Sequence, residues 1–299
     1  MRHNSEQGFT IVELMIATAT LLVVLSAALS FFSRSQVVYT NERGTLDMVQ
    51  DMRTVFDRFT NEIRMAGAGL PYQTGVIDGS DTTLVVRGDF TEIATIVPST
   101  GSITIAGSTV TFPVGTTKGF KAGQTISLLD NIKGWAVLVK VTAVNDLTKE
   151  ISVDTSDLYP LSSGATITDF SAGTIINVIE RRTYTIKTEG DDIGAITRTV
   201  AYENTATEAG ETIQAEEVIA RNVLDEKGDP GLTFTYLQAN GDPAGLDEDG
   251  ELLKSEIRKV QIGLKARSAK RDLQTGKYRT FNYTALVQIR SQYAPGVGY

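Results

Sequence analysis

The feature that most constrains this chain is a run of twenty residues without a charged side chain, residues 14–33. At 1.5 Å per residue, a helix of that length spans about 30 Å, the thickness of the hydrocarbon core of a bilayer. Arg34 ends the run, and a polar octapeptide that carries Arg2 precedes it. We therefore expect a single-pass membrane helix with a cytoplasmic N-terminus and the chain after residue 34 translocated.

The junction between Gly8 and Phe9 stands before the apolar run, whereas a secretory signal is cut after its apolar core. This junction, with Glu13 four residues beyond Phe9, resembles the N-terminal motif of type IV pilins, minor pilins and the pseudopilins of type II secretion. The resemblance implies cleavage between Gly8 and Phe9 by a prepilin peptidase and N-methylation of Phe9. It also implies that the Glu13 carboxylate pairs with the Phe9 amine of a neighbouring subunit. The alternative is a plain anchor in which Glu13 is tolerated near the interface.

The helix is predicted to continue to about residue 67, because apolar residues recur at steps of three and four after Arg34. The repeating residues are Leu46, Val49, Met52, Phe56, Phe59 and Ile63. We expect the last five to pack against a sheet. The residues expected on the charged outer face are Asp51, Arg53, Asp57, Arg58, Glu62 and Arg64.

The end of this helix makes the resemblance to pilins more specific. Residues 56–67 resemble the helix end of PilW-type minor pilins, and Gly67, Gly69 and Pro71 then terminate the element. J-type pseudopilins have a related ending but are generally shorter chains.

Beyond Pro71 the sequence predicts only strands, which are rich in Val, Ile and Thr and separated by turn residues. The two segments 256–267 and 278–290 alternate between apolar and polar residues, as in an antiparallel sheet with one covered face. We therefore expect an α+β fold, with a long N-terminal helix packed on an antiparallel sheet and a β-rich insertion. The expected division is a leader at 1–8, the helix at 9–67, the insertion at 68–172 and a pilin-like sheet domain at 173–299.

Catalysis is not expected. His3 is the single histidine and lies in the expected leader, and the chain has no cysteine. Histidine triads, thiol nucleophiles and the usual zinc ligand sets are therefore excluded from the mature chain. No cofactor is expected, with calcium as the one alternative, because a Gly-rich loop collects oxygen ligands of the kind that hard cations prefer. The candidate ligands are Asp242, Asp247, Asp249 and Glu251. The other interpretation is a solvated hairpin loop.

Charge is uneven along the C-terminal third. Residues 203–251 hold thirteen acids and two bases, and residues 254–290 hold ten bases and two acids. The two regions could neutralise each other, or the basic strands could dock on an acidic partner subunit. DNA capture is a third alternative, but Phe281 and Tyr283 fall on the apolar face, which argues against base stacking. The net charge of −8 also disfavours a general polyanion binder.

The resemblance implies a minor pilin that helps to prime a type IV pilus and lies at or near its tip. The implied partners are other minor pilins, the major pilin, the prepilin peptidase, the inner-membrane assembly platform and membrane lipid. The implied location is the inner membrane, with a periplasmic C-terminal domain, and then the surface pilus. The alternatives are a J-like pseudopilin and a pilus-borne adhesin or DNA-binding module.

Overall fold

The computed structural model describes residues 10–70, 75–160, 169–190, 193–202, 211–226, 229–247, 252–268, 271–272 and 275–289. One long helix precedes antiparallel strands, so the predicted α+β class is confirmed. The cleavage positions Gly8 and Phe9 lie outside the described residues, as do Asp249 and Glu251 of the acidic loop.

Helix α1 spans Ile11–Met65, a total of 55 residues. No proline interrupts it, and Gly44 is its one glycine. The chain leaves the helix through Gly67 and Gly69, whose φ angles of 84° and 71° are left-handed and favour glycine. The amide of Gly67 donates to the carbonyl of Arg87 (2.8 Å), which ties the helix end to a strand.

The chain divides into two compact units, Met1–Gln50 with Ser268–Arg279, and Asp51–Arg267 with Thr280–Tyr299. In the first unit, Arg279 donates to the hydroxyl of Thr45 (3.3 Å) and to the buried carboxylate of Asp272 (2.8 Å). Since Thr45 lies on the helix, the first of these bonds joins Arg279 to it, and the second joins Arg279 to Asp272.

The second unit contains a nine-stranded antiparallel sheet with the order β1-β2-β11-β12-β13-β16-β15, in which β14 also pairs with β13 and β17 with β16. Its strands are β1 (Val76–Gly79), β2 (Thr83–Gly88), β11 (Glu180–Gly190), β12 (Ile193–Tyr202), β13 (Glu211–Glu226), β14 (Asp229–Pro230), β15 (Leu232–Leu237), β16 (Lys259–Arg267) and β17 (Thr280–Gln288). A single 3₁₀ turn, Lys254–Glu256, precedes β16.

This sheet curls so that β15 meets the turn between β1 and β2. The amide of Phe234 in β15 donates to the carbonyl of Asp81 (2.7 Å), and the Tyr236 hydroxyl donates to that of Thr83 (2.8 Å). The curl leaves a concave face, and the C-terminal part of α1 packs there.

A six-stranded sheet has the order β3-β10-β6-β7-β8-β5. Its strands are β3 (Ala94–Ile96), β5 (Thr109–Pro113), β6 (Thr125–Asp130), β7 (Trp135–Asn145), β8 (Glu150–Pro160) and β10 (Ile175–Val178), and the short pair β4 (Ile103–Thr104) and β9 (Asp169–Phe170) accompanies it. The amide of Gly115, just beyond β5, donates to the carbonyl of Ile96 in β3 (2.9 Å). The end strands therefore approach each other around a core that includes Phe112, Ile126 and Phe170.

The six-stranded sheet occupies residues 94–178, whereas the sequence placed the insertion at 68–172. The segment from 76 to 88 was expected in the insertion, but β1 and β2 extend the nine-stranded sheet through pairing of β2 with β11. Strand periodicity alone does not say which sheet a strand joins, because it fixes the buried face and not the neighbouring strand.

Candidate assembly and packing sites

The N-terminus of α1 is closed by a reciprocal cap between Thr10 and Glu13. The Glu13 carboxylate accepts the backbone amide (3.0 Å) and the hydroxyl (2.9 Å) of Thr10, and the Glu13 amide donates to the Thr10 hydroxyl (3.3 Å). This pattern is a capping box, which satisfies amides that a helix start leaves unpaired. This cap was not predicted: the expectations for Glu13 were pairing with a neighbouring subunit or a tolerated place near the interface, although Thr-x-x-Glu before an apolar run is the signature of such a cap.

The first part of α1 is apolar and exposed. It is the one candidate membrane span among the described residues, and its most apolar window is wholly uncovered by the rest of the chain. Hydroxyls within it bond to carbonyls one turn back, as Thr20 does to Ile16 (2.8 Å) and Ser26 to Val23 (2.8 Å). A polar group without a partner is costly in lipid, so these bonds suit a helix surrounded by hydrocarbon.

The C-terminal part of α1 packs through the predicted apolar stripe. Met52, Phe56, Phe59 and Ile63 are buried, while Val49 is half-buried and Leu46 is exposed. The ring of Phe59 lies 4.8 Å from that of Tyr184 in β11 and 6.0 Å from that of Phe234 in β15.

Phe56 contacts the other end of the sheet, with its ring centroid 4.1 Å from that of Tyr283 in β17. The helix therefore crosses the concave face from β11 to β17.

Beside this stripe lies a buried ion network that the sequence did not predict. Glu62 was expected on the charged outer face, but its side chain is 10% exposed and its carboxylate contacts Arg182 of β11 (3.0 Å) and Arg198 of β12 (2.9 Å). Glu62 follows Phe59 by three residues, so it lies on the same side of the helix. Two arginines on the concave face of adjacent strands were the signal that could have located its partners.

The network extends to the surface through Glu217 of β13. The Glu217 carboxylate accepts hydrogen bonds from both terminal nitrogens of Arg58 (3.1 and 3.0 Å) and from one terminal nitrogen of Arg198 (2.7 Å). The bidentate bond from Arg58 lowers the pKa of Glu217. One oxygen of Glu62 and the Nε of Arg198 have no hydrogen-bond partner among the described residues. A network whose members are not all satisfied is sensitive to the loss of any one of them.

Asp89 lies in the connection between the two sheets. Burial raises the pKa of the Asp89 carboxyl to about 6. Hydrogen bonds from the backbone amides of residues 91–93 lower this pKa, but the effect of burial is larger. The Asp89 amide also donates to the carbonyl of Ala68 (2.8 Å), just beyond the helix. This buried acid therefore stands where the helix end, β2 and the six-stranded sheet converge.

The acidic loop is only partly described. The Asp242 carboxylate accepts the side-chain amide of Asn240 (2.7 Å), and Leu246 pairs with Leu252 in an isolated bridge. No group of three or more acidic or histidine side chains that could hold a metal occurs among the described residues. Since Asp249 and Glu251 are outside that set, calcium binding by Asp242, Asp247, Asp249 and Glu251 stays a prediction.

These features define an α+β chain with a long N-terminal apolar helix followed by a β-rich domain, a layout that fits a pilin. Comparisons with protein-family models, with curated proteins and with solved structures gave no match.

Proposed function

We propose that this chain is a minor pilin, a low-copy subunit that helps to prime a type IV pilus and lies at or near its tip. The proposal rests mainly on one 55-residue helix whose two parts differ in composition and in burial. Its first part is apolar and uncovered, and its last turns are buried in a curled antiparallel sheet. A fibre subunit that is held in a membrane before assembly needs both an apolar helix for the bilayer and a folded domain outside it.

The N-terminal residues support the same proposal. Processing between Gly8 and Phe9 would leave the apolar helix on the mature chain with a free amine near Glu13. A carboxylate near the membrane is costly unless it finds a partner, and an amine of an adjacent subunit would supply one. In the isolated chain, one oxygen of the Glu13 carboxylate accepts both bonds from Thr10, so the cap holds in place a carboxylate that a neighbour's amine could still reach.

The six-stranded sheet favours a position at the tip. It adds a body of about 85 residues to the helix-bearing sheet, and a helical array in which every subunit carried such a body would be crowded. The proposed role is structural, and no enzymatic step is assigned to the chain.

Maturation is tested by intact-mass analysis of the protein purified from its native host. The expected mass is that of residues 9–299 with one added methyl group. A chain that still begins at Met1, or one cut after the apolar run, would contradict the proposal.

The position in the fibre is tested by quantitative mass spectrometry of sheared pili. The expected amount is a small fraction of that of the major pilin. A comparable amount would indicate a bulk subunit, and recovery only with secretion-system components would favour a pseudopilin.

A further inference from the structure

A basic loop, residues 268–279, accompanies the membrane-length helix in the first compact unit. This loop holds four bases and one acid. The helix residues 34–50 of the same unit hold two bases and two acids, so the local excess of positive charge comes from the loop. The chain as a whole has a net charge of −8, and the basic loop therefore differs in sign from the rest of the protein.

Two bases of the loop are exposed and have no carboxylate partner among the described residues. The one acid, Asp272, is already bound by Arg279 through its Nε (3.0 Å) and one terminal nitrogen (2.8 Å). Lys277 is exposed, and Arg271 is exposed with its guanidinium carbon 5.2 Å from the centroid of the Tyr278 ring. An aromatic ring leaves the positive charge in place, so both side chains are available to anions.

The basic loop lies along the part of α1 that adjoins the apolar run. Helix residues 11–36 are all exposed, as expected of a helix without neighbours. Beyond them, one residue in each successive turn is covered, namely Val37, Asn41, Thr45 and Met48. The loop is the other segment of this unit, and Arg279 bonds to Thr45 (3.3 Å). We conclude that the loop extends along the helix as far as Val37.

With the uncharged run in the hydrocarbon core, Val37 lies at the membrane surface. It follows Ser33, the last residue of the run, by four positions, which is a helical rise of about 6 Å. The polar layer on each side of a bilayer is about 5–7 Å thick. The loop therefore lies at the level of the headgroups, within the Debye length of about 10 Å over which surface charge acts. Arg34 is exposed at the same level.

We propose that the basic loop binds the headgroups of anionic phospholipids while the apolar part of α1 spans the bilayer. Arg271 and Lys277 supply the positive charge, and the bond from Arg279 to Thr45 keeps the loop beside the helix. An acidic protein partner is disfavoured, because lipid already occupies this level. The inference rests on the membrane-held state in the proposed function and does not depend on the pilus.

The test uses the full-length chain in vesicles, with a fluorescent label at Thr275→Cys, an exposed position in a chain that has no cysteine. Lipids with a spin label on the headgroup quench a fluorophore at the headgroup level. One kind of vesicle is phosphatidylcholine, and the other is a mixture of phosphatidylcholine and phosphatidylglycerol. We expect at least twofold stronger quenching in the anionic vesicles, and loss of this difference at high salt, because salt screens exposed charges.

A matched pair of double variants locates the contact. Arg271→Gln with Lys277→Gln removes the two exposed cations of the loop. Lys118→Gln with Lys121→Gln removes the same charge at two exposed positions outside the first unit. We expect the first double variant to lower the quenching in anionic vesicles to the level in neutral vesicles, and the second to leave it unchanged. Circular dichroism checks that both fold, as expected for exposed positions.

Equal quenching in the two kinds of vesicle, or equal effects of the two double variants, would overturn the inference. Strong quenching that salt does not change would also overturn it, because the contact would then be apolar. Vesicle flotation measures membrane insertion separately. A chain that does not float with the vesicles would contradict the membrane-held state itself, and with it the proposed function. A chain that floats without the expected quenching would contradict this inference alone.

Discussion

At the scale of single residues, the buried acids of this chain are held in two different ways. The negative charge of Glu62 is compensated by Arg182 and Arg198, so this ion network lies in the interface between α1 and the nine-stranded sheet. Asp89 is bound chiefly by backbone amides, and burial raises its pKa to about 6. Loss of Glu62 therefore removes the carboxylate that Arg182 and Arg198 share, whereas ionisation of Asp89 is itself the unfavourable event.

We expect Glu62→Ala to lower the free energy of unfolding by about 2 kcal/mol, because it removes two charge-assisted hydrogen bonds while Arg182 keeps Glu180 and Arg198 keeps Glu217. Asp57→Ala, on the exposed side of the same helix, should change it by less than about 0.5 kcal/mol. Urea unfolding in detergent, followed by circular dichroism, measures both. Equal effects of the two substitutions would mean that the network contributes nothing specific.

Asp89 should make stability depend on pH in a defined direction. Its folded pKa of about 6 exceeds the ordinary value of 3.8, so the folded state binds this proton more tightly. The protonated Asp89 carboxyl stabilises the folded state fully at pH values below 3.8, and this contribution is lost as the pH rises to about 6. We therefore expect Asp89→Asn to be more stable than the parent chain by about 1 kcal/mol at pH 7.5, after allowance for solvent screening.

The advantage of Asp89→Asn should disappear below pH 4, and Asp146→Asn, at an exposed hairpin, serves as the control. Thermal unfolding across this pH range measures the difference. A constant difference at all pH values would assign the effect to packing and not to ionisation.

At the scale of elements, α1 serves two environments with one continuous backbone. In the apolar part, hydroxyls such as those of Thr20 and Ser26 bond to carbonyls of the same helix, and in the packed part Glu62 pairs with arginines of the sheet. Glu13 stands at the start of the helix with two roles that substitutions can separate, the observed cap and the proposed pairing with another subunit.

We expect Glu13→Gln to abolish incorporation into fibres while it preserves the helix, because glutamine serves at the third position of a capping box but carries no charge. Thr10→Ala removes the cap and keeps the charge, so incorporation should persist. Immunoblots of membranes and of sheared fibres measure insertion and incorporation separately. The reverse pattern, with loss in Thr10→Ala and normal assembly in Glu13→Gln, would assign Glu13 a capping role alone.

At the scale of the whole molecule, the six-stranded sheet is inserted between two strands that already pair. Gly88 of β2 and Glu180 of β11 lie opposite each other in the ladder. The insertion can therefore be removed without opening the nine-stranded sheet. Contacts across the junction include packing of Leu70 with Leu138 and Ile179, a hydrogen bond from the Ser127 hydroxyl to the Gly69 carbonyl (2.7 Å) and one from the Gln124 side-chain amide to the Tyr202 hydroxyl (3.2 Å).

We expect a chain in which an Asn-Gly turn replaces residues 89–179, together with Leu70→Ser, to retain cooperative unfolding and the seam between helix and sheet. A two-residue turn of this type suits adjacent antiparallel strands. Removal of residues 84–172 instead takes most of β2 and should prevent folding. Circular dichroism and limited proteolysis distinguish the two, and equal behaviour would contradict the topological boundary.

The sequence alone determined the membrane-length run, the long helix, the strand-rich remainder and much of the apolar stripe, because these follow from local periodicity and composition. Tertiary structure decided the rest. It placed Glu62 between the helix and the sheet and not on the surface, and it assigned β1 and β2 to the large sheet. Among the described residues it gave β17 one neighbouring strand, β16. It also buried Asp89 where three elements meet. These outcomes depend on which distant segments become neighbours, and side-chain periodicity fixes the buried face of a strand or helix without fixing its partner.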